Sequence, residues 1–298
     1  MPHLKLVLFV VLSLVTVWFV VQWTWRTRKG WTETTHVDRQ HAVFHAAVAF
    51  VCTFFDTLGI GNFAPTTSAF KLRGSLADEK IPGTLNVGYA IPTIAQAFIF
   101  ITAVDVDPTT LTLMIAAAVV GAWLGAGIVA HLPRRTIQLG MGAALLAAAV
   151  LTGLRQFELF PAGGNAVALQ GVKLAIGLAA MFSLGALMTL GIGLYAPCLI
   201  LVSLLGMNET TAFPIMMGSC AFLMPVGGLK FIREGSYHAR TALLLTLAGL
   251  PAVWIAAPLV TMIPLYDVRW LVVVAVSCAA LMMLRSAWTE RSPRSSCR

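Results

Sequence analysis

Long apolar runs constrain the fold of this chain more than any other feature of its sequence. Residues 4–23 include one charged side chain, Lys5, and reach the length of about 20 residues that an α-helix needs to cross a bilayer. Hydrophobic residues make up 58% of the 298 positions and charged residues 11%, whereas soluble domains are about 25% charged. The sequence therefore predicts an all-α protein that crosses a membrane many times.

Apolar segments of helical length follow one another along the whole chain. We predict helices near residues 4–23, 41–60, 62–76, 82–104, 109–132, 135–153, 167–190, 196–206, 212–231, 240–262 and 268–286. The first is longer than the apolar core of a signal peptide, and basic residues follow it, so we expect an extra N-terminal membrane helix. The segments at 62–76 and 196–206 are too short to span comfortably, which indicates broken or re-entrant hairpins.

A ten-residue motif precedes each short segment. It reads TLGIGNFAPT at residues 57–66 and TLGIGLYAPC at residues 189–198. Other residues recur at offsets of 131 or 132, namely Pro82 with Pro214, Trp123 with Trp254, and Pro133 with Pro264. We interpret this pattern as an internal duplication. It predicts one repeat at 31–155 and a second at 156–288, between an N-terminal helix at 1–30 and a tail at 289–298.

Each predicted repeat contains five helical elements, and an odd number of crossings turns the second repeat upside down relative to the first. The positive-inside rule tests this arrangement, because Lys and Arg of short loops lie in the cytoplasm. With the N-terminus outside, most basic residues fall inside, and the acidic loops around Asp105, Glu158, Glu209 and Asp267 fall outside. The sequence therefore predicts a multi-pass protein of the cell membrane, with inverted repeats and a cytoplasmic C-terminus. Inverted repeats with broken helices are a recurring construction of secondary transporters.

The two glycines and the proline of the motif are predicted to break a helix within the membrane. Inside a helix, glycine costs about 1 kcal/mol relative to alanine, and proline about 3 kcal/mol. Such a break is stable in lipid only where protein buries it or where it lines a cavity. We expect the chain to unwind at Gly59 and Gly61, with Pro65 in the first turn of a half-helix and unpaired amides at residues 66–68. Together with the amides of residues 198–200, these would form one central anion site.

Candidate substrate-binding residues come from both copies of the motif and from the helix that follows each copy. They are Gly59, Gly61, Asn62, Pro65, Thr66, Thr67, Gly191, Gly193, Tyr195, Pro197, Cys198, Asn86 and Ser219. Gln96 and Cys220 are further polar positions in the following helices, where a single polar side chain can equally tie helices together. Close helix packing is the alternative role for the motif glycines, and it is the expected role of Gly121, Gly125 and Gly127.

Asp56 precedes the first copy of the motif, and Met188 occupies the corresponding position before the second copy. A carboxylate within a membrane segment is costly and therefore indicates a function by default. We expect Asp56 to bind a coupling proton or cation. The alternatives are a position near the outer surface and a cap on the broken helix.

Several kinds of site and partner are not expected. The five cysteines have no CxxC spacing, and the pair His41 and His45 lacks a third ligand, so no metal or other cofactor is predicted. Asp56 has no catalytic partner that the sequence can place, which argues against an enzyme. The net charge of +8 is explained by orientation in the membrane rather than by nucleic acid. The expected partners are the lipid bilayer and a small anion.

The repeated motifs resemble those of the sulfite exporter TauE/SafE family of membrane permeases. The resemblance also rests on the segments PGTLNVGYAIPT and PIMMGSCAFLMP, and on the small-residue helices VVGAWLGAGIVAHLP and LAGLPAVWIAAPLVTMIP. It covers about residues 40–286 and leaves the first helix as an addition. Family members carry a run of glycines where this chain has Asn62-Phe63 and Leu194-Tyr195, a departure that would reshape the pocket.

The resemblance implies a secondary permease that exports a small anion such as sulfite, a sulfonate or sulfoacetate. The predicted mechanism is alternating access, in which one repeat rocks against the other around a central anion. An anion channel, or a membrane assembly factor built on the same broken-helix pore, is the alternative.

Overall fold

A computed structural model describes residues 2–30, 39–129, 164–188, 194–262 and 265–289, together with isolated helical positions between 139 and 154. These residues form helices and connecting segments, with no β-strand among them. In chain order, the helices are α1 Pro2–Gly30, α2 Arg39–Thr57, α3 Phe63–Arg73, α4 Ile81–Gly88, α5 Ala90–Ala103, α6 Pro108–Val129, α7 Gly171–Met188, α8 Tyr195–Leu204, α9 Ala212–Glu234, α10 Ala239–Met262 and α11 Leu265–Thr289. Single turns of 3-10 helix, Asp78–Lys80 and Glu209–Thr211, precede α4 and α9.

The prediction of a polytopic, all-α membrane protein is confirmed. Within the described residues, four helical segments are long and apolar enough to cross a membrane: Leu4–Arg26, Gly171–Met188, Glu209–Glu234 and Ala239–Val260. The pair α4 and α5, bent by 40°, adds a fifth if it is counted as one span. Only 17% of an apolar 18-residue stretch of α1 is buried within the protein. Most of this helix therefore faces outward, as a lipid-facing helix does.

The third helix of the first predicted repeat is not continuous, contrary to the expectation of one helix at 82–104. It is divided at Tyr89 into α4 and α5. Pro92, in the first turn of α5, has no N–H to donate to the carbonyl of Gly88. That carbonyl accepts instead a hydrogen bond from the Thr246 hydroxyl in α10, at 2.6 Å. In the second repeat, α9 continues as one helix although it contains Pro225.

Helices α2 and α3 form a hairpin, as the length of the segment predicted. Nε2 of His45, in the first half of α2, lies 3.1 Å from Oγ of Ser75, which follows α3. The ring of Phe70 near the end of α3 packs on the ring of His45, with centroids 4.6 Å apart. The end of α3 therefore returns to the end of the molecule from which α2 starts.

A second hairpin is formed by α7 and α8. The backbone N–H of Asn208, after α8, donates to the carbonyl of Ala166, before α7, at 2.9 Å. The turn between these helices, residues 189–193, lies outside the described residues. The end of α8 therefore returns to the side on which α7 starts.

The connecting segments gather at two ends of the molecule. At the first, His238 donates its backbone N–H to Thr84 Oγ1 at 2.9 Å, and Thr241 Oγ1 lies 3.2 Å from Nδ1 of His45. At the second, the backbone N–H of Asp107 donates to the carbonyl of Val167 at 2.8 Å. Basic residues border the first end, which we call the basic end: Lys71, Arg73, Lys80, Arg233 and Arg240. Acidic residues border the second, the acidic end: Asp105, Asp107 and Glu209.

Two helix pairs pack closely through glycine, α6 on α7 and α2 on α10. A Cβ atom on Gly121 of α6 would overlap the carbonyl oxygen of Phe182 in α7, and one on Gly185 of α7 would overlap the carbonyl oxygen of Ala118 in α6. On the other pair, a Cβ on Gly249 would lie 3.1 Å from Oγ1 of Thr53. The predicted packing role of Gly121 is thus confirmed. Gly125 and Gly127 lie within α6, but their contacts are not among those that the structure describes.

Helix α9 runs through the centre of the molecule, and 67% of an apolar 18-residue stretch in the segment Glu209–Glu234 is buried. It packs against α4 and α5 on one side and against α1, α6 and α8 on others. The rings of Phe100 in α5 and Phe213 in α9 stack with centroids 5.2 Å apart. This central packing holds the short helix α8 in the interior, where most of its residues are buried.

Candidate functional site

The first copy of the motif breaks the chain between α2 and α3, as predicted. Gly59 and Gly61 have φ angles of 95° and 86°, in the left-handed region that side-chain-bearing residues rarely adopt. Gly59 donates its backbone N–H to the carbonyl of Asp56 at 2.8 Å, which closes the end of α2. A Cβ on Gly59 would contact Leu199 in α8 and Met216 in α9, so the first break lies against the second short helix.

The second copy of the motif is described only from residue 194 onward, and Gly191 and Gly193 lie outside the described residues. Helix α7 ends at Met188 and α8 begins at Tyr195. Tyr195 is the counterpart of Phe63, the first residue of α3, at the offset of 132. Both short helices therefore begin at the same position of the motif.

The expected location of the unpaired amides is wrong by several residues. The N–H of Thr66 donates to the carbonyl of Asn62 at 3.1 Å, and the N–H of Cys198 donates to that of Leu194 at 3.0 Å. The prolines are the third residues of α3 and α8, not the first. Proline fits anywhere in the first turn, because no N–H there has an acceptor within the helix. The amides without a helical acceptor are therefore those of the two residues before each proline.

Asp56 lies at the break with 2% of its surface exposed. Its Oδ2 accepts a hydrogen bond from Nε2 of Gln96 in α5 at 2.9 Å. The backbone N–H of Asn62 also donates to this carboxylate. Asp56 is therefore buried within the protein rather than exposed at its surface, and it bridges the two sides of the break. A buried carboxylate requires such donors, since burial removes the hydrogen bonds that water would supply.

Gln96 connects the two copies of the motif. Its Nε2 also donates to Oγ1 of Thr57 at 2.9 Å, and its Oε1 accepts from the hydroxyl of Tyr195 at 3.3 Å. The side chain of Thr93 makes a further hydrogen bond with Tyr195. Asp56 and Thr57 belong to the end of α2, whereas Tyr195 begins α8. We call the three side chains of Asp56, Gln96 and Tyr195 the polar bridge.

The protein-family comparison adds a second line of information to this geometry. Residues 1–152 match the model of the TauE family, described as sulfite exporter TauE/SafE. The chain belongs to the sulfite exporter TauE/SafE family. It is accordingly a membrane transporter. The match begins at the first residue and so includes α1, which the motif resemblance left out, and it ends before the second copy of the motif. No curated protein and no solved structure matched the chain.

A second buried polar group of this TauE/SafE protein surrounds Thr66, one of the predicted residues. Oγ1 of Thr66 lies 2.8 Å from the hydroxyl of Tyr89, and the Thr66 side chain also forms a hydrogen bond with the thiol of Cys52. The ring of Phe63 packs near that of Tyr89, with centroids 6.5 Å apart. Sequence reasoning missed Tyr89; the available signal was a lone aromatic hydroxyl between glycine and proline in an apolar helix. Both groups, apart from Tyr195, lie in the range that matches the TauE/SafE model.

Asn86 and Ser219 do not join either polar group. The side chain of each donates to the carbonyl four residues earlier in its own helix, from Asn86 to Pro82 at 2.9 Å and from Ser219 to Ile215 at 2.7 Å. Their related positions in the two repeats thus correspond to related local bonds rather than to one shared pocket.

The remaining predicted residues lie along the short helices of the TauE/SafE protein. Cys198 is fully buried in α8, whereas Pro65, Thr67 and Pro197 are partly buried. At the end of α7, Met188 contacts Cys220, with the two sulfur atoms 3.6 Å apart. A sulfur contact therefore occupies the position where the first repeat has its carboxylate. Among the described residues, no group of three or more His, Cys, Asp or Glu could hold a metal ion.

Proposed function

We propose that this protein is a secondary transporter that exports a small anion, most specifically a sulfur oxyanion or an organosulfonate such as sulfite or sulfoacetate, by alternating access. Family membership supports transport and the class of substrate. The observation that carries the mechanism is the polar bridge, because it joins the two helix breaks through one buried amide.

The proposed architecture is a pair of inverted repeats at 31–155 and 156–288. The hairpin of α2 and α3 opens toward the basic end, and that of α7 and α8 opens toward the acidic end. The close packing of Gly185 on Ala118 also recurs as that of Thr53 on Gly249, whose positions are related by offsets of 132 and 131. Opposite hairpins and exchanged contacts are what a two-fold axis in the membrane plane would produce.

The contacts between helices of different repeats indicate which parts of the protein move together. Each hairpin packs on the fourth helix of the other repeat, α2 on α10 and α7 on α6. We propose that each moving body therefore combines helices from both repeats, and that the bodies rock around α4, α5 and α9. The basic end would face the cytoplasm of the cell, together with the C-terminus, as the positive-inside rule requires.

The proposed anion site lies at the N-termini of α3 and α8. The amides of Phe63 and Tyr195, and of the residue after each, have no helical acceptor, and the helix dipole places partial positive charge there. A Cβ on Gly61 would meet no atom within 4 Å, so the first break has open space beside it. An anion at this place would be repelled by a charged Asp56. We therefore expect Asp56 to bind a proton when the anion binds.

Ligand-dependent thermal stability of the detergent-purified protein tests this proposal. The panel is sulfite, sulfate, thiosulfate, sulfoacetate, taurine, lactate and chloride. A ligand at 100 times its Kd stabilises the folded state by about 2.7 kcal/mol, so a selective increase in melting temperature identifies the class. We expect the increase with a sulfur oxyanion or sulfonate, and its loss in Gly61→Leu.

Sulfite flux from loaded proteoliposomes provides the second half of the test. Flux that saturates with sulfite concentration, and that Gly61→Leu abolishes, is the expected result. Equal stabilisation by chloride, combined with flux that does not saturate, would replace the transporter by an anion channel.

A further inference from the structure

The orientation of the Gln96 amide is fixed by its neighbours. The hydroxyl of Thr57 donates its single proton to the carbonyl of Thr53 at 2.8 Å. Oγ1 of Thr57 must therefore accept, and it accepts from Nε2 of Gln96 at 2.9 Å. The second hydrogen of Nε2 is directed at Asp56, which leaves Oε1 for the hydroxyl of Tyr195. All hydrogen-bonding atoms of the amide at this site are assigned by geometry.

The polar bridge is not required by the architecture of a repeat. At an offset of 132, the counterparts of Asp56, Gln96 and Tyr195 are Met188, Gly228 and Phe63. None of these three has a polar side chain, although both repeats build a hairpin and a following helix. The bridge therefore has no counterpart at the related positions of the two repeats, and its three residues are buried.

We propose that Gln96 is a positioning residue that transmits the charge of Asp56 to Tyr195, and so to the start of α8. A proton on Oδ2 of Asp56 would face the N–H of Gln96, two donors directed at each other. Rotation of the amide removes this conflict, because Oε1 then accepts from Asp56 and Nε2 donates to the oxygen of Tyr195. The hydroxyl of Thr57 turns its proton from the carbonyl of Thr53 to Oε1, so that it donates where it previously accepted. The Tyr195 hydroxyl changes from donor to acceptor toward Gln96, and its proton turns to Thr93, which already bonds it.

This chain of events gives each charge state of Asp56 its own hydrogen bond at the start of the second short helix. Asp56 lies in the last turn of α2, directly before the first helix break. Tyr195 is the first residue of α8, directly after the second helix break. A change at one break is therefore transmitted to the other within two side-chain contacts. For its role in coupling, this inference rests on the proposed function; the hydrogen-bond exchange itself does not.

Infrared difference spectroscopy as a function of pH tests the exchange without any substrate. The carbonyl stretch of protonated Asp56 is assigned by its loss in Asp56→Asn, and the phenol band of Tyr195 by its loss in Tyr195→Phe. In the unmodified protein, both bands are expected to change with one common pH midpoint. In Gln96→Leu, the Asp56 band is expected to persist while the Tyr195 band no longer changes with pH.

Tyr195→Phe supplies a second measurement that does not depend on the folding of Gln96→Leu, because phenylalanine is the residue at the corresponding position of the first repeat. Coupling is reciprocal, so removal of the hydroxyl must shift the Asp56 midpoint, and we expect a shift of about half a pH unit or more. An unchanged midpoint in Tyr195→Phe, or a Tyr195 band that still titrates in Gln96→Leu, would overturn the proposal.

Transport is measured separately, so that the two proposals can fail independently. In proteoliposomes loaded with sulfite, Gln96→Leu is expected to retain ligand-dependent stabilisation and to lose the pH dependence of flux. Linked infrared bands without any sulfite flux in the unmodified protein would contradict the proposed function alone. Sulfite flux whose pH dependence is the same in Gln96→Leu would contradict the role of Gln96 alone.

Discussion

The hydroxyl of Thr66 in the short helix α3 lies 2.8 Å from the hydroxyl of Tyr89, the residue at which α4 and α5 bend. Both side chains are fully buried. This bond ties the helix break of the first motif to the bend of the next helix. A change in the orientation of α3 or in the bend between α4 and α5 would therefore have to break this hydrogen bond, or move α3 and the bend together.

Tyr89→Phe should destabilise the protein, because it removes the hydroxyl partner of a buried Thr66. A buried polar group that loses its partner costs about 1–3 kcal/mol, and the weak hydrogen bond to the Cys52 thiol that Thr66 keeps places the cost toward the lower value. We expect a lower melting temperature of the purified protein. The double variant Thr66→Val with Tyr89→Phe removes both hydroxyls, and it should be less destabilised than the sum of the two single variants. Strict additivity would mean that the 2.8 Å contact contributes no net stability.

Gly121→Ala should destabilise the packing of α6 on α7, since the added Cβ would overlap the carbonyl oxygen of Phe182. Overpacking of this kind costs about 1–3 kcal/mol, and a backbone atom cannot move aside as a flexible side chain can. Gly153→Ala is the matched control, because a Cβ there meets no atom within 4 Å. The measurement is the thermal denaturation of both variants. Equal melting temperatures would contradict the close contact of α6 and α7.

The stability of the basic end should fall as the pH is lowered below 6.5. Thr241 donates its backbone N–H to Nδ1 of His238 at 3.2 Å, so His238 caps the start of α10 as a neutral ring. Burial, and then the charges of Lys80 and Arg240, lower the pKa of His238 below its ordinary value of 6.5. The unfolded state then binds more protons between the two values, and the stabilising contribution, complete above 6.5, is lost as the pH falls through the folded-state pKa.

His238→Asn isolates this contribution. Asparagine is also a favourable N-cap, but it does not titrate in this range. We expect the melting temperature of the variant to depend less on pH below 6.5 than that of the unmodified protein. If the melting temperatures of the variant and the unmodified protein changed equally with pH across the acidic range, His238 would not contribute to the pH dependence.

Asp56→Asn should uncouple anion flux from the proton gradient while leaving the protein folded. The amide keeps an oxygen that can accept from Asn62 or Gln96, but it carries no titratable proton. Sulfite flux from proteoliposomes, measured with and without a pH gradient, is expected to become insensitive to the gradient. Asp56→Met, which copies the counterpart Met188, serves as a second variant. A gradient dependence that survives both substitutions would return Asp56 to a structural role.

Fusions at defined positions test the proposed inverted topology. A fluorescent protein fused to the C-terminus should fluoresce, and alkaline phosphatase at the same position should be inactive, because the positive-inside rule places this end in the cytoplasm. Phosphatase inserted at the acidic end, after Val106, should be active. Active phosphatase at the C-terminus would require an even number of crossings between the two sites, and would exclude the proposed arrangement.

The predictable part of the site was its position in the chain. The helix break at Gly59 and Gly61 was predictable from the residue type alone. Glycine destabilises a helix interior and readily adopts positive φ, as both glycines do here. The start of α3 was less predictable, since proline is tolerated throughout the first turn of a helix. The expected amide donors therefore shifted from the residues after Pro65 to those before it.

The amino-acid sequence by itself determined the membrane class, the approximate bounds of most of the described helices, the two hairpins and the family. These depend on apolar length, residue propensity and repetition, which act over a few neighbouring residues. The tertiary structure decided the polar bridge and the bend at Tyr89. Gln96 meets Asp56 across 40 residues and Tyr195 across 99, and Thr246 reaches Gly88 across 158. Such partners are selected only when packed helices bring distant side chains together, because buried polar groups bond whichever donor or acceptor the packing places beside them.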